Sequence, residues 1–445
     1  MPDSRDTVLL IGSGAREHAV FRALQRAPSA PRVAVYGTSR NPGLTATATA
    51  YTVGALTDPE AVVAFARECG ATLAFPGPEA PLAAGVVDAL EEAGVPTAGP
   101  RRALARIETS KGYARDFLAR HGLSAVQPRF RRFPSTEGMA AYFAELGGRY
   151  VVKADGLMGG KGVRVAGEDL EDADAGLAWA GELLQSADSV VVEELCRGPE
   201  FSLFTFTDGR IAVHSPFVLD HKRAFPGDEG PNTGGMGSLS LRDHSLPYLS
   251  PHLARAARLV NESVLEFLAE ENGHPYRGVL YGGFMATADG LRVIEYNARL
   301  GDPEALNLMA LLDGDMGAAL RGMATGGLRE EDLRFREECS VCKYVVPEGY
   351  PTHPLRDVPV DLSGVPAGEV PYLAAVDERE GQLVATGSRT LAFVGTGATL
   401  AEAEAGAEKG ARSIPGPFFH RSDIGTDDLL AQRVALLAHE VRAAR

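Results

Sequence analysis

The sequence predicts a multidomain α/β protein: a parallel α/β unit at the amino end, a mixed middle and a β-rich carboxyl part. Three observations carry this. Residues 7–100 alternate apolar strand-like runs with helical stretches, the β-α-β pattern of a helix-covered parallel sheet. At 445 residues the chain exceeds one ordinary domain, and 45% apolar content suffices for several cores. Beyond residue 327 strand-like patterning dominates.

Taken in order, residues 7–11, 32–36 and 71–75 read as strands and 17–27, 58–68 and 79–93 as helices, followed by Val95–Gly99. Thr109-Ser-Lys-Gly supplies an N-cap for a new helix, so a first domain is expected over 1–108 and a second from 109 to 326. Within the second, 124–198 reads as a small lid-like α/β unit ending in Ser189–Leu195. Strands are expected over 201–206, 211–215, 279–286 and 291–297, with a long helix over 251–271. The third domain, 327–445, has a helix near 399–411. Nothing repeats at a fixed period, and no segment is low-complexity.

The formal charge is −15, without a basic run, which argues against nucleic acid as a partner. No apolar stretch approaches 18 residues, so neither a membrane span nor secretion is expected. Four cysteines cannot build a disulfide framework and fit a reducing cytoplasm. Cys339 and Cys342 form one C-x-x-C without a second ligand pair. Ser340–Val346 reads as a strand, so these are expected to be ordinary strand cysteines.

The chemistry concentrates in two segments. Glu295-Tyr-Asn297-Ala-Arg299 follows a strand-like run, so a carboxylate, a carboxamide and a guanidinium fall on one face. That set suits Mg²⁺ with a polyphosphate. Lys153-Ala-Asp-Gly156 leads into Gly159-Gly160-Lys161-Gly162, a glycine loop between two lysines, suited to wrapping phosphates. No G-x-x-x-x-G-K-[ST] string occurs, so this is a nucleotide-phosphate site of another kind. Lys153 sits in an apolar strand, where a buried ammonium needs an anionic partner.

The loop Gly12-Ser-Gly14-Ala-Arg16-Glu17 joins a strand to a helix, and its N–H groups can receive a phosphate. The dinucleotide fingerprint wants a glycine where Glu17 stands and an acid where Tyr36-Gly37 stands, which disfavours a nicotinamide enzyme. Asp220-His-Lys222-Arg223 and Pro231-Asn232-Thr-Gly234-Gly235-Met-Gly237 form a long polar, then glycine-rich loop, of the kind more often functional than idle. No H-E-x-x-H and no G-x-S-x-G elbow appears.

With Pro76–Leu82 and Arg421–Gly425, these motifs in this order resemble the ATP-grasp carboxylate–amine ligases, and within them the phosphoribosylamine–glycine ligase family, over nearly the whole chain. The resemblance implies a pre-ATP-grasp domain, an ATP-grasp domain and a β-rich C-terminal domain. It implies ATP and Mg²⁺ or Mn²⁺ as cofactors, with Glu295 and Asn297 as metal ligands. Lys111, Lys153, Gly159, Gly160 and Lys161 would meet ATP phosphates, and Glu193, Leu195 and Glu200 the adenosine. Gly12, Gly14, Arg16 and Glu17 would belong to the phosphoribosylamine side. Asp220, Lys222, Arg223, Asn232, Gly234 and Gly235 would lie near the acceptor and amino-acid sites. Arg299 would neutralise phosphate charge, and Asp302 would position the substrate amine. A further metal ligand is expected from 279–286, where Tyr281-Gly-Gly-Phe-Met carries no carboxylate.

The implied reaction activates glycine as glycyl phosphate, which phosphoribosylamine attacks, giving glycinamide ribonucleotide, ADP and phosphate in purine biosynthesis. Small molecules are the only partners expected, with a monomer or dimer in the cytoplasm. The alternatives are another ATP-grasp ligase, using formate or bicarbonate, or a silent ATP-binding regulator.

Overall fold

The computed structural model describes residues 5–158 and 162–443. Strands Ala50–Val53, Arg32–Gly37, Thr7–Ile11 and Leu73–Pro76 lie in that order in one parallel sheet. Val8–Ile11 and Val33–Val35 are buried on both faces, as central parallel strands require. The stretch expected as one helix over 79–93 is two, Glu79–Ala84 and Val86–Glu92. Gly85 between them takes φ +82°, a left-handed conformation that ends a helix. Val95–Gly99 makes only an isolated bridge, Ala74 to Thr97. Helix Arg102–Thr109 then meets Lys111–Arg120, which Ser110 caps by accepting from Tyr113 N at 3.0 Å.

The next unit is an antiparallel sheet ordered Phe130–Phe133, Val190–Glu194, Tyr150–Ala154, Val163–Val165. Helices Met139–Glu145 and Ala173–Leu183 cover it, and the unit has a core of its own around Phe133, Phe143, Tyr150 and Val192. A second antiparallel sheet runs Ala212–His214, Glu200–Thr207, Gly278–Thr287, Gly290–Asn297, with helix Pro251–Asn272 against it. Its last pair contains a bulge. Gly283 opposes Glu295 while Phe284 already opposes Val293, so the ladder breaks beside Glu295 and re-aims that side chain.

The stretch 220–237, which reads as one long loop, is half strand. It holds the hairpin Arg223–Phe225 with Glu229–Asn232 and ends in Gly237–Ser240. Gly237–Ser240 pairs with Cys339–Pro347, which pairs with Leu391–Gly397. The central and C-terminal parts of the chain therefore share one six-stranded sheet. Helix Leu400–Arg412 packs on that sheet, opened by a capping box of Thr399 and Glu402. Cys339 and Cys342 sit three residues apart on the buried strand, hence on opposite faces, and neither is in a disulfide.

Helices Glu304–Leu311, Met316–Thr325 and Asp427–Ala443 are not among the expected elements, although Asp315 caps the second by accepting from Ala318 N at 3.0 Å. Seven of the eight residues of Glu304–Leu311 are buried, so it has no polar face and no amphipathic period. Among the described residues no helix is long and apolar enough to cross a membrane.

Candidate active site

Glu295 and Asn297 project from one face of strand Gly290–Asn297, while Tyr296 between them is buried. Lys222 Nζ lies 3.8 Å from Glu295 Oε1. Burial would raise the Glu295 pKa, but Lys222, Lys111 and Lys153 together pull it below the ordinary value, so the carboxylate is held ionised. Arg299 corrects the reading that residues 295, 297 and 299 continue along one strand face. The strand ends at Asn297, and the guanidinium turns to Glu108 at 2.9 Å and Glu79 at 3.5 Å, both from the N-terminal part of the chain. Glu108 also accepts from Ala298 N at 2.7 Å, so one buried acid holds the turn after the Glu295–Asn297 pair.

Lys153 is buried and its Nζ lies 2.7 Å from Glu193 Oε2. Arg115 donates to both oxygens of the same carboxylate, at 2.7 and 2.9 Å. The partner that a buried lysine requires is thus already in the protein, and the Glu193 carboxylate faces inward. Lys111 Nζ donates to Gly156 O at 3.0 Å, and burial lowers its pKa. Leu195 N donates to Arg149 O at 3.1 Å, which ties the end of the lid strand. Arg115 carries no sequence motif. Only its place on the helix after Ser110 brings it to Glu193.

A small cavity lies beside this centre, lined among others by Glu200, Asp220, Lys222, Tyr281, Ile294 and Glu295. Lys222 Nζ bonds Glu200 Oε2 at 3.1 Å, and that carboxylate raises the lysine's pKa. Asp220 is different: its Oδ1 is buried with no hydrogen-bond partner among the described residues, and burial together with nearby Glu304 pushes its pKa up. Gly234 and Gly235 stand against Asp302, bound by a residue to which the sequence analysis assigns no role at this site. Arg389 donates to Gly234 O, Gly235 O and Asp302 O at 2.7, 3.0 and 2.8 Å.

The strand–helix loop at Gly12 and Gly14 is closed from inside. Glu17 accepts from Gly14 N at 2.7 Å and from Arg16 Nε at 2.6 Å, and Arg16 Nη1 donates to Leu300 O at 3.0 Å. Arg16 therefore ties the N-terminal loop to the segment after Arg299, with its guanidinium buried instead of open to a phosphate. A carboxylate already occupies the amino end of the helix. Arg223 also departs from the cavity. It bonds Gly230 O at 2.9 Å and pairs with Glu168 of the lid, opposite Asn232 in the hairpin. Gly159, Gly160 and Lys161 lie outside the described residues.

Among the described residues no group of three or more His, Cys, Asp or Glu could hold a metal ion. Glu295 and Asn297 offer two oxygens beside three lysines. A divalent cation there would complete its shell with phosphate and water oxygens, the habit of Mg²⁺ and not of a closed protein cage.

Three family models match in sequence: the N, ATP-grasp (A) and C domains of phosphoribosylglycinamide synthetase, over residues 6–108, 109–305 and 340–427. The phosphoribosylamine–glycine ligase of Methanoregula boonei is 44% identical over 96% of this chain and 98% of its own. That of Pyrococcus horikoshii is 42% identical over 97% of both. The crystal structure of the Thermotoga maritima phosphoribosylamine–glycine ligase superposes with a TM-score of 0.78 at 30% identity, covering 94% of this chain and 99% of that one. Biotin carboxylase of Campylobacter jejuni shares the fold alone, with a TM-score of 0.75 at 14% identity over 98% of both chains. The chain belongs to the phosphoribosylglycinamide synthetase family and has its ATP-grasp fold.

Proposed function

We infer that this chain joins glycine to 5-phospho-β-D-ribosylamine at the expense of ATP, forming glycinamide ribonucleotide, ADP and phosphate in purine biosynthesis. The observation that carries this reading is the convergence of Lys111, Lys153 and Lys222 on ionised Glu295, at a cavity whose other wall holds Asp220. Glycine's carboxylate is a poor electrophile, and transfer of the γ-phosphoryl group makes it an acyl phosphate. Such transfer needs alignment and charge neutralisation more than covalent help. Lys111 and Lys153 supply cations on one side, and Lys222 supplies one from the link between Asp220 and the hairpin that starts at Arg223. Glu295 and Asn297 would hold Mg²⁺ or Mn²⁺, which when bound neutralises and orients the phosphates.

Glu200 and Leu195 stand at the adenosine end of this reading, and Glu193 acts there by fixing Lys153. Asp220, Gly234, Gly235 and Asp302 form the wall where the amine attacks. The four free cysteines suit a reducing cytoplasm, the compartment this reading assigns. The test is ADP release by the purified chain with Mg²⁺, glycine and freshly made phosphoribosylamine. ADP formation that requires both substrates, with glycinamide ribonucleotide appearing alongside, is the expected result. Release indifferent to glycine, or supported equally by formate or bicarbonate, would reject it.

A further inference from the structure

We propose that Arg389, acting with Tyr344, is a positioning residue that fixes Asp302 and the Gly234–Gly235 backbone as one amine-side wall, so that the C-terminal domain couples ATP cleavage to ligation. The proposal rests on the ligase reading above.

The geometry is specific. Arg389 comes from the turn before strand Leu391–Gly397, and Tyr344 from strand Cys339–Pro347. Their target, Asp302, follows the metal-ligand strand. Arg389 Nη2 lies 3.3 Å from Asp302 Oδ2, and the Tyr344 hydroxyl donates to Asp302 Oδ1 at 2.5 Å. Both carboxylate oxygens are therefore held, one from strand Cys339–Pro347 and the other from the turn that precedes strand Leu391–Gly397. The same guanidinium binds the carbonyls of Gly234, Gly235 and Asp302, and stacks 4.5 Å over the Tyr344 ring.

A planar cation spanning three carbonyls and a carboxylate is a task lysine cannot reproduce. The Tyr344 ring is buried, and burial with Asp302 nearby raises its pKa, so the phenol stays a proton donor. Gly235 takes φ +107°, and a Cβ there would meet Pro303 Cδ at 2.5 Å and Asp220 Oδ1 at 2.7 Å. The Gly235 backbone thus packs directly on Pro303 and Asp220, and Arg389 joins that contact to Asp302.

Among the described residues, Arg389 and Tyr344 make no hydrogen bond or ion pair with Lys111, Lys153, Glu295 or Asn297, and the wall acts on the second half-reaction. There the amine nitrogen forms the C–N bond to the acyl carbon. The C–O bond to phosphate breaks with its electron pair on oxygen, and the amine proton leaves on the departing hydrogen phosphate. If the amine is misplaced, water attacks the same acyl phosphate, and ADP appears without product.

The experiment compares the full chain with Arg389→Met, Arg389→Lys, Tyr344→Phe and Asp302→Asn, measuring ADP and ligated product in one reaction. Wild type should form them in equal amounts. Arg389→Met should lose roughly ten- to a hundredfold in kcat/KM for phosphoribosylamine and release ADP in excess of product, with the ATP KM unchanged. Arg389→Lys should restore coupling in part. If Arg389→Met does not fold, Tyr344→Phe, which loses one hydroxyl, should show the same uncoupling in milder form. Equal ADP and product in both folded variants, or an ATP KM that rises as much as that of the amine, overturns the proposal. Coupled ligation by Asp302→Asn overturns it through its target. Absence of ligation by wild type overturns the ligase reading itself, and the proposal with it.

Discussion

Lys153 Nζ lies 2.7 Å from Glu193 Oε2, inside a buried triad that Arg115 completes. Burial alone would raise the Glu193 pKa, but Arg115 and Lys153 overcome it and hold the group at about 2. Because the folded value lies below the unfolded one, this contribution to stability is complete above the ordinary glutamate range. It is lost as pH falls toward 2, with no effect near neutrality. Glu193→Gln leaves the two cations short of a carboxylate and should destabilise the fold by about 3–5 kcal/mol. Urea unfolding at pH 7 measures it, and an unchanged midpoint would dismiss the triad as a structural element.

Glu295→Gln and Asn297→Ala should each cripple turnover with the fold intact. Loss of one oxygen ligand at a metal–triphosphate site costs on the order of a hundredfold or more in rate. Because Lys222, Lys111 and Lys153 surround Glu295, the Gln variant should also need more free Mg²⁺. Steady-state rates across a Mg²⁺ titration decide the matter, and near-normal turnover at low Mg²⁺ would end the assignment.

Gly235→Ala should damage the amine side selectively. The substitution adds a Cβ at φ +107° against Pro303 and Asp220, so strain of roughly 1–3 kcal/mol is expected. The phosphoribosylamine KM should rise while nucleotide binding, followed by ATP-dependent thermal stabilisation, is retained. A loss confined to ATP would misplace this loop.

His18 makes stability sensitive to mild acid. Burial lowers its pKa to about 3, Arg22 adding to the effect, while its Nδ1 accepts from Leu373 N at 2.9 Å. The neutral ring is therefore the folded form, and its contribution is complete above the ordinary histidine value. Stability should fall as pH drops from about 6.5 toward 3, by up to about 1.4 kcal/mol per unit. Acid unfolding of His18→Gln against wild type tests this. Identical pH dependence in the two proteins would show that this contact between the N-terminal helix and the C-terminal part is not the sensitive one.

The helix Lys111–Arg120 and the strands bearing Lys153 and Glu295 were legible because local chemistry reports them: a serine cap, an apolar run around a lysine, an alternating Glu-Asn pair. Periodicity and capping act over a few residues, so one sequence contains them. The family and its reaction were legible for the same reason, since the motifs stand in order along the chain. Arg115, Glu108, Tyr344 and Arg389 were not. Each is an ordinary residue in its own neighbourhood, and its partner lies 42 to 190 residues away.

What the sequence determined by itself was many of the elements and the chemistry of each motif, because backbone propensity and side-chain type are local properties. The tertiary structure alone decided where the charges go. Arg16 and Arg299 read as phosphate ligands in isolation, yet folding brings Glu17, Glu79 and Glu108 to them. Gly234 and Gly235 read as part of a long glycine-rich loop, yet the fold that shares the six-stranded sheet brings Arg389 against their carbonyls. A buried guanidinium must find acceptors wherever packing leaves them, and sheet pairing across distant segments sets that packing.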